Sequence, residues 1–289
     1  MIDHDRGSRV ASACGFEVGV LGIESLGGGC TADVRRITFE DGRSVVAKFS
    51  DRHERLEEES HSLARLAETN TVRVPMVLGL GPGVLVIEYL PPTEVCSDSW
   101  PVFGGRLADL HQVEVGDRYG LERNNHLGET AQINTFHDDW VEFNRICRIG
   151  PLRDRISRLA DADDRELAAI DRLMDALPDL LPSRPRPSLL HGDLWSGNAH
   201  CTEEGEIAVI DPAVSVGDGL ADLAMMQLFG GFPGTCFEAY FDRAGPMIGT
   251  ENQEERLAVY RLYHVLNHRL LFGRGYSGQA MAIIDDLLR

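Results

Sequence analysis

The eight residues "HGDLWSGN", His191–Asn198, say more about the fold than any other segment of this sequence. Asp193 and Asn198 stand five positions apart in it. The apolar run Ile207–Ile210 follows, so the segment is predicted to be a polar loop beside short strands. A loop this short can place a carboxylate, which accepts a proton, close to an amide oxygen, which binds a metal ion. An Asx-rich turn is the simpler alternative.

The Asp-x4-Asn spacing is typical of the catalytic loop of kinases. There the Asp accepts the proton of a substrate hydroxyl and the Asn binds Mg²⁺. "VIDPA" adds Asp211, at the end of the apolar run and 18 positions after Asp193, where it suits a second Mg²⁺ ligand. A turn or helix-cap Asp before proline is the alternative. The order and spacing of these residues favour the metal-binding interpretation.

Lys48, in "SVVAKFS", is the only lysine of the chain, and the other 27 basic residues are arginines. It stands in an apolar run, where a buried charge is costly unless an anion meets it. An exposed lysine on an edge strand is the alternative. A compact ammonium reaches nucleotide phosphates in a way that a planar guanidinium does not. We therefore predict that Lys48 binds the phosphates of ATP.

Two further features complete the predicted nucleotide site. Glu59 in the following helix is the expected ion-pair partner of Lys48, with Glu57 and Glu58 as alternatives. Three glycines between two strands would let backbone N–H groups approach a ligand, although a plain flexible hairpin has the same composition. These glycines are Gly27, Gly28 and Gly29.

The pattern of the chain changes near residue 90. Residues 1–90 read as a small antiparallel sheet with one helix at 52–68 and a hairpin turn at Asp41-Gly42. Residues 91–289 read as a mainly helical lobe, after a hinge at 88–92. The predicted helices of this lobe are 98–113, 135–147, 151–160, 163–177, 218–229, 235–243, 251–272 and 277–288. The fold class is therefore α+β, a protein-kinase-like bilobal fold in one kinase-like domain.

Composition excludes several classes of protein. A net charge of −18 argues against a nucleic-acid partner and against an anionic membrane surface. No apolar run is long enough to span a bilayer, and the first residues do not resemble a signal peptide. Six cysteines without a CxxC pair indicate a reduced, cytoplasmic protein without structural zinc.

Longer motifs are similar to those of the fructosamine (ketosamine) kinases, relatives of the aminoglycoside phosphotransferases. The resemblance covers nearly the whole chain. Its motifs are "LLHGDLWSGN", "LGETAQINTFHDDWVEF" at 127–143, "ADLAMMQLFGGF" at 221–232 and "YRLYHVLNHRLLFGRGY" at 260–276. The resemblance implies a kinase that uses ATP and Mg²⁺ to phosphorylate a sugar hydroxyl, typically O3, of a free or protein-bound ketoamine. The phosphorylated adduct is less stable, so the implied role is deglycation.

The resemblance also implies roles for individual residues. Asp193 would be the catalytic base, and Asn198 and Asp211 the metal ligands. The backbone of Glu88, Tyr89 and Leu90 would bind adenine. His191 and Asp222 would brace the catalytic loop, with an acid/base role for His191 as the alternative. Four side chains would line the sugar pocket unless they only pack or cap, and these are Trp195, His264, Asn267 and His268.

The sequence departs from the family pattern after Asp211. Tyrosines are expected near 215 and 216 and an Arg-Glu-like pair near 219 and 220. This chain has Ser215, Val216, Gly219 and Leu220 instead, which bears on the substrate more than on phosphoryl transfer. Cys30 in the glycine loop raises a second question. It is either a redox-responsive thiol that links a dimer or an inert one, and we expect a monomer.

Three other functions remain open from the sequence. One is phosphorylation of an aminoglycoside or another small hydroxylated substrate, to which an acidic surface is suited. A second is a non-catalytic nucleotide-binding module, against which the complete residue set argues. A third is a protein kinase, for which no activation segment or peptide-binding segment is evident after Asp211.

Overall fold

The computed structural model describes residues 2–27, 32–94, 98–249 and 251–289. The chain folds as two compact units. The first unit comprises residues 1–99 together with 198–212. The second unit comprises residues 100–197 together with 213–289.

The first unit is built on a five-stranded sheet in the order β1-β2-β3-β5-β4, with every neighbouring pair antiparallel. The predicted hairpin at Asp41-Gly42 is confirmed, because Gly42 takes a φ of +87° and its N–H donates to the carbonyl of Phe39. The strands are β1 (Val20–Ser25), β2 (Asp33–Phe39), β3 (Ser44–Phe49), β4 (Val77–Gly81) and β5 (Val84–Glu88).

Two helices accompany this sheet, whereas the sequence predicted one. Helix α2 (His53–Ala67) is the expected helix. Helix α1 (Ile2–Cys14) was missed, because its apolar residues are few and small and its helical face is weak in the sequence. Helix α1 is stabilised by tertiary packing, because Val10 is fully buried in a core with Ile37 and Phe39 of β2.

The hairpin of β9 (Ala199–Cys201) and β10 (Ile207–Val209) belongs to the first unit, although its sequence follows the catalytic loop. Backbone hydrogen bonds attach it there: the Val209 N–H donates to the carbonyl of Arg73, and the Thr93 N–H donates to that of Cys201. The first unit thus runs to residue 99 and includes this later hairpin, whereas the sequence pattern changes near residue 90.

The second unit is mainly helical, with two small antiparallel pairs of strands. Its helices are α3 (Ser99–Gln112), α4 (Trp140–Phe143), α5 (Gly150–Ile156), α6 (Asp164–Leu180), α7 (Leu220–Leu228), α8 (Gly234–Ala244), α9 (Gln253–Phe272) and α10 (Ser277–Leu287). Its strand pairs are β6 (Asn125–Leu127) with β7 (Thr130–Gln132), and β8 (Pro187–Leu190) with β11 (Ser215–Asp218).

Most predicted helices are confirmed, with changed ends. The helix expected over 135–147 begins only at Trp140, because the Asp139 carboxylate caps it by accepting the Glu142 N–H at 2.9 Å. It continues as a π-helical turn over Asn144–Ile149. The helix expected over 151–160 ends at Ile156.

A buried ion pair ties β11 to α9 in the second unit. Arg256 donates to both carboxylate oxygens of Asp218 at 2.9 Å, and both side chains are buried. The Tyr260 hydroxyl donates to the same carboxylate at 2.6 Å, and the Trp140 indole N–H donates to Tyr260 at 2.7 Å. Each buried polar group of this set therefore has a partner, as burial of charge requires.

Two adjacent glycines of α3 make a matched test of the packing against α8. A Cβ added at Gly104 would lie 2.0 Å from the carbonyl oxygen of Cys236, whereas one added at Gly105 meets nothing within 4 Å. We expect Gly104→Ala to lower the free energy of unfolding by about 3 kcal/mol or more. Gly105→Ala should raise it by up to about 1 kcal/mol through helix propensity. Urea unfolding measures the free energy of unfolding of both variants. Equal changes for Gly104→Ala and Gly105→Ala would contradict the close packing of α3 against α8.

Candidate active site

The open end of the β9–β10 hairpin brings two predicted metal ligands together. Ala199 and Val209 are the last paired residues, and the Ile210 N–H extends the ladder by donating to the Asn198 carbonyl at 2.9 Å. Asn198, which is buried, enters the hairpin and Asp211 leaves it. The ladder therefore fixes an amide side chain and a carboxylate side chain at the same end of one element.

Asp211 has a left-handed backbone with a φ of +55°. A non-glycine residue takes this conformation at a cost of about 1 kcal/mol or more, and aspartate tolerates it better than most residues. Residues held in this way concentrate at functional sites. Nothing in the sequence indicates this strain, because it arises where β10 ends and the chain turns.

Lys48 of β3 is buried between two carboxylates of the same unit. Its ammonium lies 2.5 Å from Glu59 Oε1, and it also contacts Asp211 Oδ1. Of the three glutamates considered from the sequence, Glu59 is the one in this contact. Burial by itself would lower the pKa of Lys48, but the charges of Glu59 and Asp211 outweigh it and hold the pKa above its ordinary value. The structure therefore places a permanent cation beside Asp211.

Asn198 and Asp211 have the chemistry that Mg²⁺ requires, since both offer hard oxygen donors. Within residues 2–27, 32–94, 98–249 and 251–289, no cluster of three or more His, Cys, Asp or Glu side chains forms a cage for a metal ion. Mg²⁺ is commonly bound by one or two carboxylate or amide ligands, completed by substrate phosphates and water. These two residues therefore fit a nucleotide-bound Mg²⁺ better than a resident structural metal.

The segment predicted to bind adenine follows β5. The Glu88 carboxylate accepts from Arg73 at 2.6 Å and from the Met76 N–H at 3.1 Å, so this side chain is fixed by its neighbours. His200 Nε2 lies 3.1 Å from the Leu90 carbonyl and donates to it. Sequence reasoning missed His200, whose contact arises only because the β9–β10 hairpin lies against this segment.

The predicted glycine loop follows β1. Gly27 is described, and a Cβ there would meet no atom within 4 Å. Gly28, Gly29 and Cys30 lie outside the described residues. The predictions for these three residues, including a redox role for Cys30, stay predictions.

The catalytic loop of the second unit is built around Asp222. This buried carboxylate accepts the backbone N–H of His191 at 2.8 Å and that of Gly192 at 2.9 Å. Gly192 has a φ of +84°, and a Cβ there would lie 2.1 Å from the carbonyl oxygen of Ala213. Only glycine fits this close approach, so the backbone conformation of the turn before Asp193 depends on Gly192.

His111 supports Asp222 from α3, and no local pattern in the sequence indicates it. Its Nε2 donates to Asp222 Oδ2 at 3.1 Å, while Nδ1 lies 2.7 Å from the Tyr240 hydroxyl. Burial would raise the pKa of Asp222, but the hydrogen bond and charge of His111 outweigh it, and the pKa is lowered. Asp222 is therefore an ionised, fully hydrogen-bonded carboxylate at neutral pH.

Asp193 is half-buried in this loop, and its backbone N–H lies 3.3 Å from His191 Nδ1. His191 is itself buried. Asp193 belongs to the second unit, whereas Lys48, Asn198 and Asp211 belong to the first. Bracing of the loop by His191 and its acid/base alternative both stay predictions.

The four departures from the family pattern are all buried, and specific contacts explain two of them, Ser215 and Gly219. Ser215 and Val216 belong to β11, where the Ser215 hydroxyl accepts from Arg148 at 3.2 Å. A Cβ at Gly219 would lie 2.8 Å from Nδ1 of His111. A larger side chain at 219 would therefore disturb the support of Asp222.

The four residues predicted to line a sugar pocket differ in exposure. Trp195 is 40% exposed, and His268 is half-buried. His264 and Asn267 are buried in α9, and His264 Nδ1 and Asn267 Oδ1 have no hydrogen-bond partner among the described residues. Burial lowers the pKa of His264 to about 3, so this ring is neutral. It borders a small cavity of about 40 Å³ that Gly192 and Asp222 also line.

Solved structures with this fold include small-molecule kinases. The choline kinase LicA of Streptococcus pneumoniae has a TM-score of 0.66 and 17% identity, covering 99% of this chain and 98% of that chain. A thermostable mutant of aminoglycoside phosphotransferase APH(4)-Ia has a TM-score of 0.66 and 18% identity, covering 98% of each chain. This likeness shows the fold, so the predicted protein-kinase-like α+β class is confirmed.

The chain belongs to the fructosamine kinase family, whose model matches residues 7–289. A protein-ribulosamine 3-kinase of Oryza sativa subsp. indica is 34% identical over 280 residues, covering 93% of this chain and 80% of that protein. A Synechocystis protein named as a probable ketoamine kinase is 34% identical over 270 residues, covering 92% and 90%. A Thermobifida fusca structure named as a candidate fructosamine-3-kinase has a TM-score of 0.89 and 26% identity, covering 98% of each chain. The chain is accordingly an ATP-dependent phosphotransferase.

The Asp222 contacts generate a prediction about stability. Asn offers one acceptor oxygen where three N–H groups converge, so Asp222→Asn should lower the free energy of unfolding by about 3 kcal/mol at pH 7. Because the folded pKa is lowered, the stabilisation by Asp222 is present above about pH 4 and is lost as pH falls through the folded value. Urea unfolding should show that the difference in free energy of unfolding between Asp222→Asn and wild type becomes smaller from pH 7 to pH 3.

The exposed Asp285→Asn is the matched control and should stay within about 0.5 kcal/mol of wild type. An Asp222→Asn protein as stable as wild type at pH 7 would show that the carboxylate does not hold the loop.

Proposed function

We propose that this chain phosphorylates a sugar hydroxyl, expected to be O3, of ketoamines of the fructosamine or ribulosamine type. The observation that carries the proposal is the buried Lys48, held between Glu59 and Asp211, in a chain of the fructosamine kinase family. The relatives named as ketoamine kinases and protein-ribulosamine 3-kinases support the substrate class. The less stable phosphorylated adduct would then break down, which gives deglycation.

Binding of ATP is assigned to the first unit. The ammonium of Lys48 has three N–H donors. Glu59 and Asp211 accept from it here, which keeps it aimed and charged, and the remaining donor would meet a phosphate oxygen. Backbone groups at Glu88–Leu90 would bind adenine, and Gly27–Gly29 would approach the phosphates. Asn198 and Asp211 would hold Mg²⁺, which when bound neutralises developing charge on the transferred phosphoryl group.

Proton transfer is assigned to Asp193. Its loop is fixed by the two N–H bonds to Asp222, so the carboxylate needs little reorganisation when a substrate hydroxyl approaches. Asp193 would orient this hydroxyl and accept its proton as the new P–O bond forms. The chain thus contributes positioning and charge, with no covalent intermediate.

We further propose that the enzyme works in the cytoplasm as a monomer, on free or protein-bound ketoamines and without a nucleic-acid or membrane partner. The described helices include none that is both long and apolar enough to cross a membrane. The net charge of −18 supports the expected absence of nucleic acid from the partners.

Magnesium-dependent ADP release tests the function directly. The substrate panel is fructosyl-lysine, ribulosyl-lysine, erythrulosyl-lysine and kanamycin. Wild type should turn over ketoamines, and Asp193→Asn should lose at least about 100-fold in kcat while binding ATP within about twofold of wild type. Near-full activity of this variant would exclude Asp193 as the base. Turnover of kanamycin alone would contradict the ketoamine proposal and show that the enzyme phosphorylates aminoglycosides.

Exchange of the single lysine tests the nucleotide site. Lys48→Arg should lower kcat/KM for ATP by about 100-fold. The planar guanidinium of arginine, placed between Glu59 and Asp211, cannot reach the phosphates as the compact lysine ammonium does. The exposed Arg43→Lys is the control and should leave this value unchanged. An Lys48→Arg enzyme with wild-type ATP kinetics would show that charge alone is required there.

A further inference from the structure

A surface of aromatic rings extends from the loop that carries Asp193 across the second unit. The sequence predicted a role in the sugar pocket for two of these rings, Trp195 and His268. We call Trp195, Phe229, His268, Phe272 and Tyr276 the aromatic surface. Ring centroids are 6.3 Å apart from Trp195 to Phe229, 5.1 Å from Phe229 to His268 and 5.3 Å from His268 to Phe272. Tyr276 lies 5.1 Å from His268. The rings thus form one continuous surface.

Three of these rings are exposed, although burial would be their favoured state, and His268 and Tyr276 are half-buried. Phe229 is 45% exposed and Phe272 is 61% exposed, beside the 40% of Trp195. They come from separate elements: the catalytic loop, the end of α7 and the end of α9. Exposed aromatic groups gathered from several elements mark a binding surface more often than single exposed side chains do.

The aromatic surface is physically joined to the catalytic loop. Gly231, just after Phe229, has a φ of +92°, and a Cβ there would lie 2.6 Å from Ser196 Oγ. A Cβ at Gly197 would meet the Trp195 ring at 2.2 Å. Gly231 thus lets the chain after α7 pack closely against the loop that carries Asp193, and Gly197 lets the Trp195 ring lie over the same loop. The aromatic surface therefore begins in the same loop as Asp193, at a ring two residues further along the chain.

We propose that the aromatic surface binds the lysine arm of the ketoamine, that is, the alkyl chain and secondary ammonium by which the sugar is attached to its carrier. This inference rests on the proposed function and goes beyond it, because it assigns recognition of the carrier to Phe229, Phe272 and Tyr276, which had no predicted role. It also places His268 against the carrier rather than the sugar. Aromatic faces bind alkylammonium groups through their quadrupole and cover alkyl chains at the same time.

Charge on the surface agrees with a cationic occupant. His268 Nδ1 lies 2.7 Å from the His264 carbonyl and donates to it, so Nε2 is the ring nitrogen left to meet an ammonium N–H. Arg274, beside Tyr276, is paired with Asp163 at 3.0 Å, so its charge is compensated. The net charge of −18 attracts a cation to the whole chain.

The test compares two ketoamines of one sugar, a short one built on methylamine and a long one built on the lysine of a ten-residue peptide. Phe272→Ala should raise KM for the peptide ketoamine at least about tenfold, with kcat retained. The loss for the methylamine ketoamine should be much smaller. Phe272→Tyr keeps a ring and should restore the peptide KM, whereas Phe272→Leu should not.

Phe136→Ala is the matched control, because Phe136 is 38% exposed in the same unit and its ring faces Arg118 rather than the aromatic surface. Equal KM changes for both carriers, or none, would overturn the proposal while the ketoamine kinase activity stands. Wild-type enzyme that turns over neither ketoamine would overturn the proposed function itself. A wild-type dimer in light scattering that Phe272→Ala converts to a monomer, with no carrier discrimination, would overturn the proposal by assigning the surface to a second copy of the chain.

Discussion

A buried carboxylate must satisfy its oxygens with hydrogen bonds, and Asp222 meets this requirement by organising the catalytic half of the second unit. It accepts backbone N–H groups from two consecutive residues of the catalytic loop and a side-chain N–H from His111. Removing one of these donors would leave part of a buried charge uncompensated, which costs about 3 kcal/mol. The loop conformation that presents Asp193 is therefore a consequence of electrostatics as much as of backbone preference.

The same constraint explains the residues around Asp222. His111 contacts Asp222 through Nε2 and the Tyr240 hydroxyl through Nδ1. A side chain at Gly219 would collide with this Nδ1 and hydroxyl pair. The departures from the family pattern at this point thus form a packed set with their surroundings.

The first unit also contains a buried charge that needs compensation, and here the charge is a cation. Lys48 is buried in a sheet and is compensated by two carboxylates, one from a helix and one from the end of a hairpin. Asp211 holds its position with a left-handed backbone, a local strain that the surrounding ladder supports. Each of these compensated charges fixes its neighbours: Lys48 contacts Asp211, and Asp222 holds the backbone of the loop that carries Asp193. The aromatic surface has no such constraint and is left exposed.

The sequence by itself determined the kinase-like class, the antiparallel sheet and most helices, because hydrophobic periods, the Asp-Gly hairpin and the loop spacing are local signals. It also singled out Lys48, because a lone lysine in an arginine-rich chain is visible without a structure. Tertiary structure alone decided α1, whose helix depends on packing over the sheet. It also decided which glutamate meets Lys48, the support of Asp222 by His111 and the assembly of the aromatic surface, since these contacts join residues that are distant in the chain and carry no periodic signal.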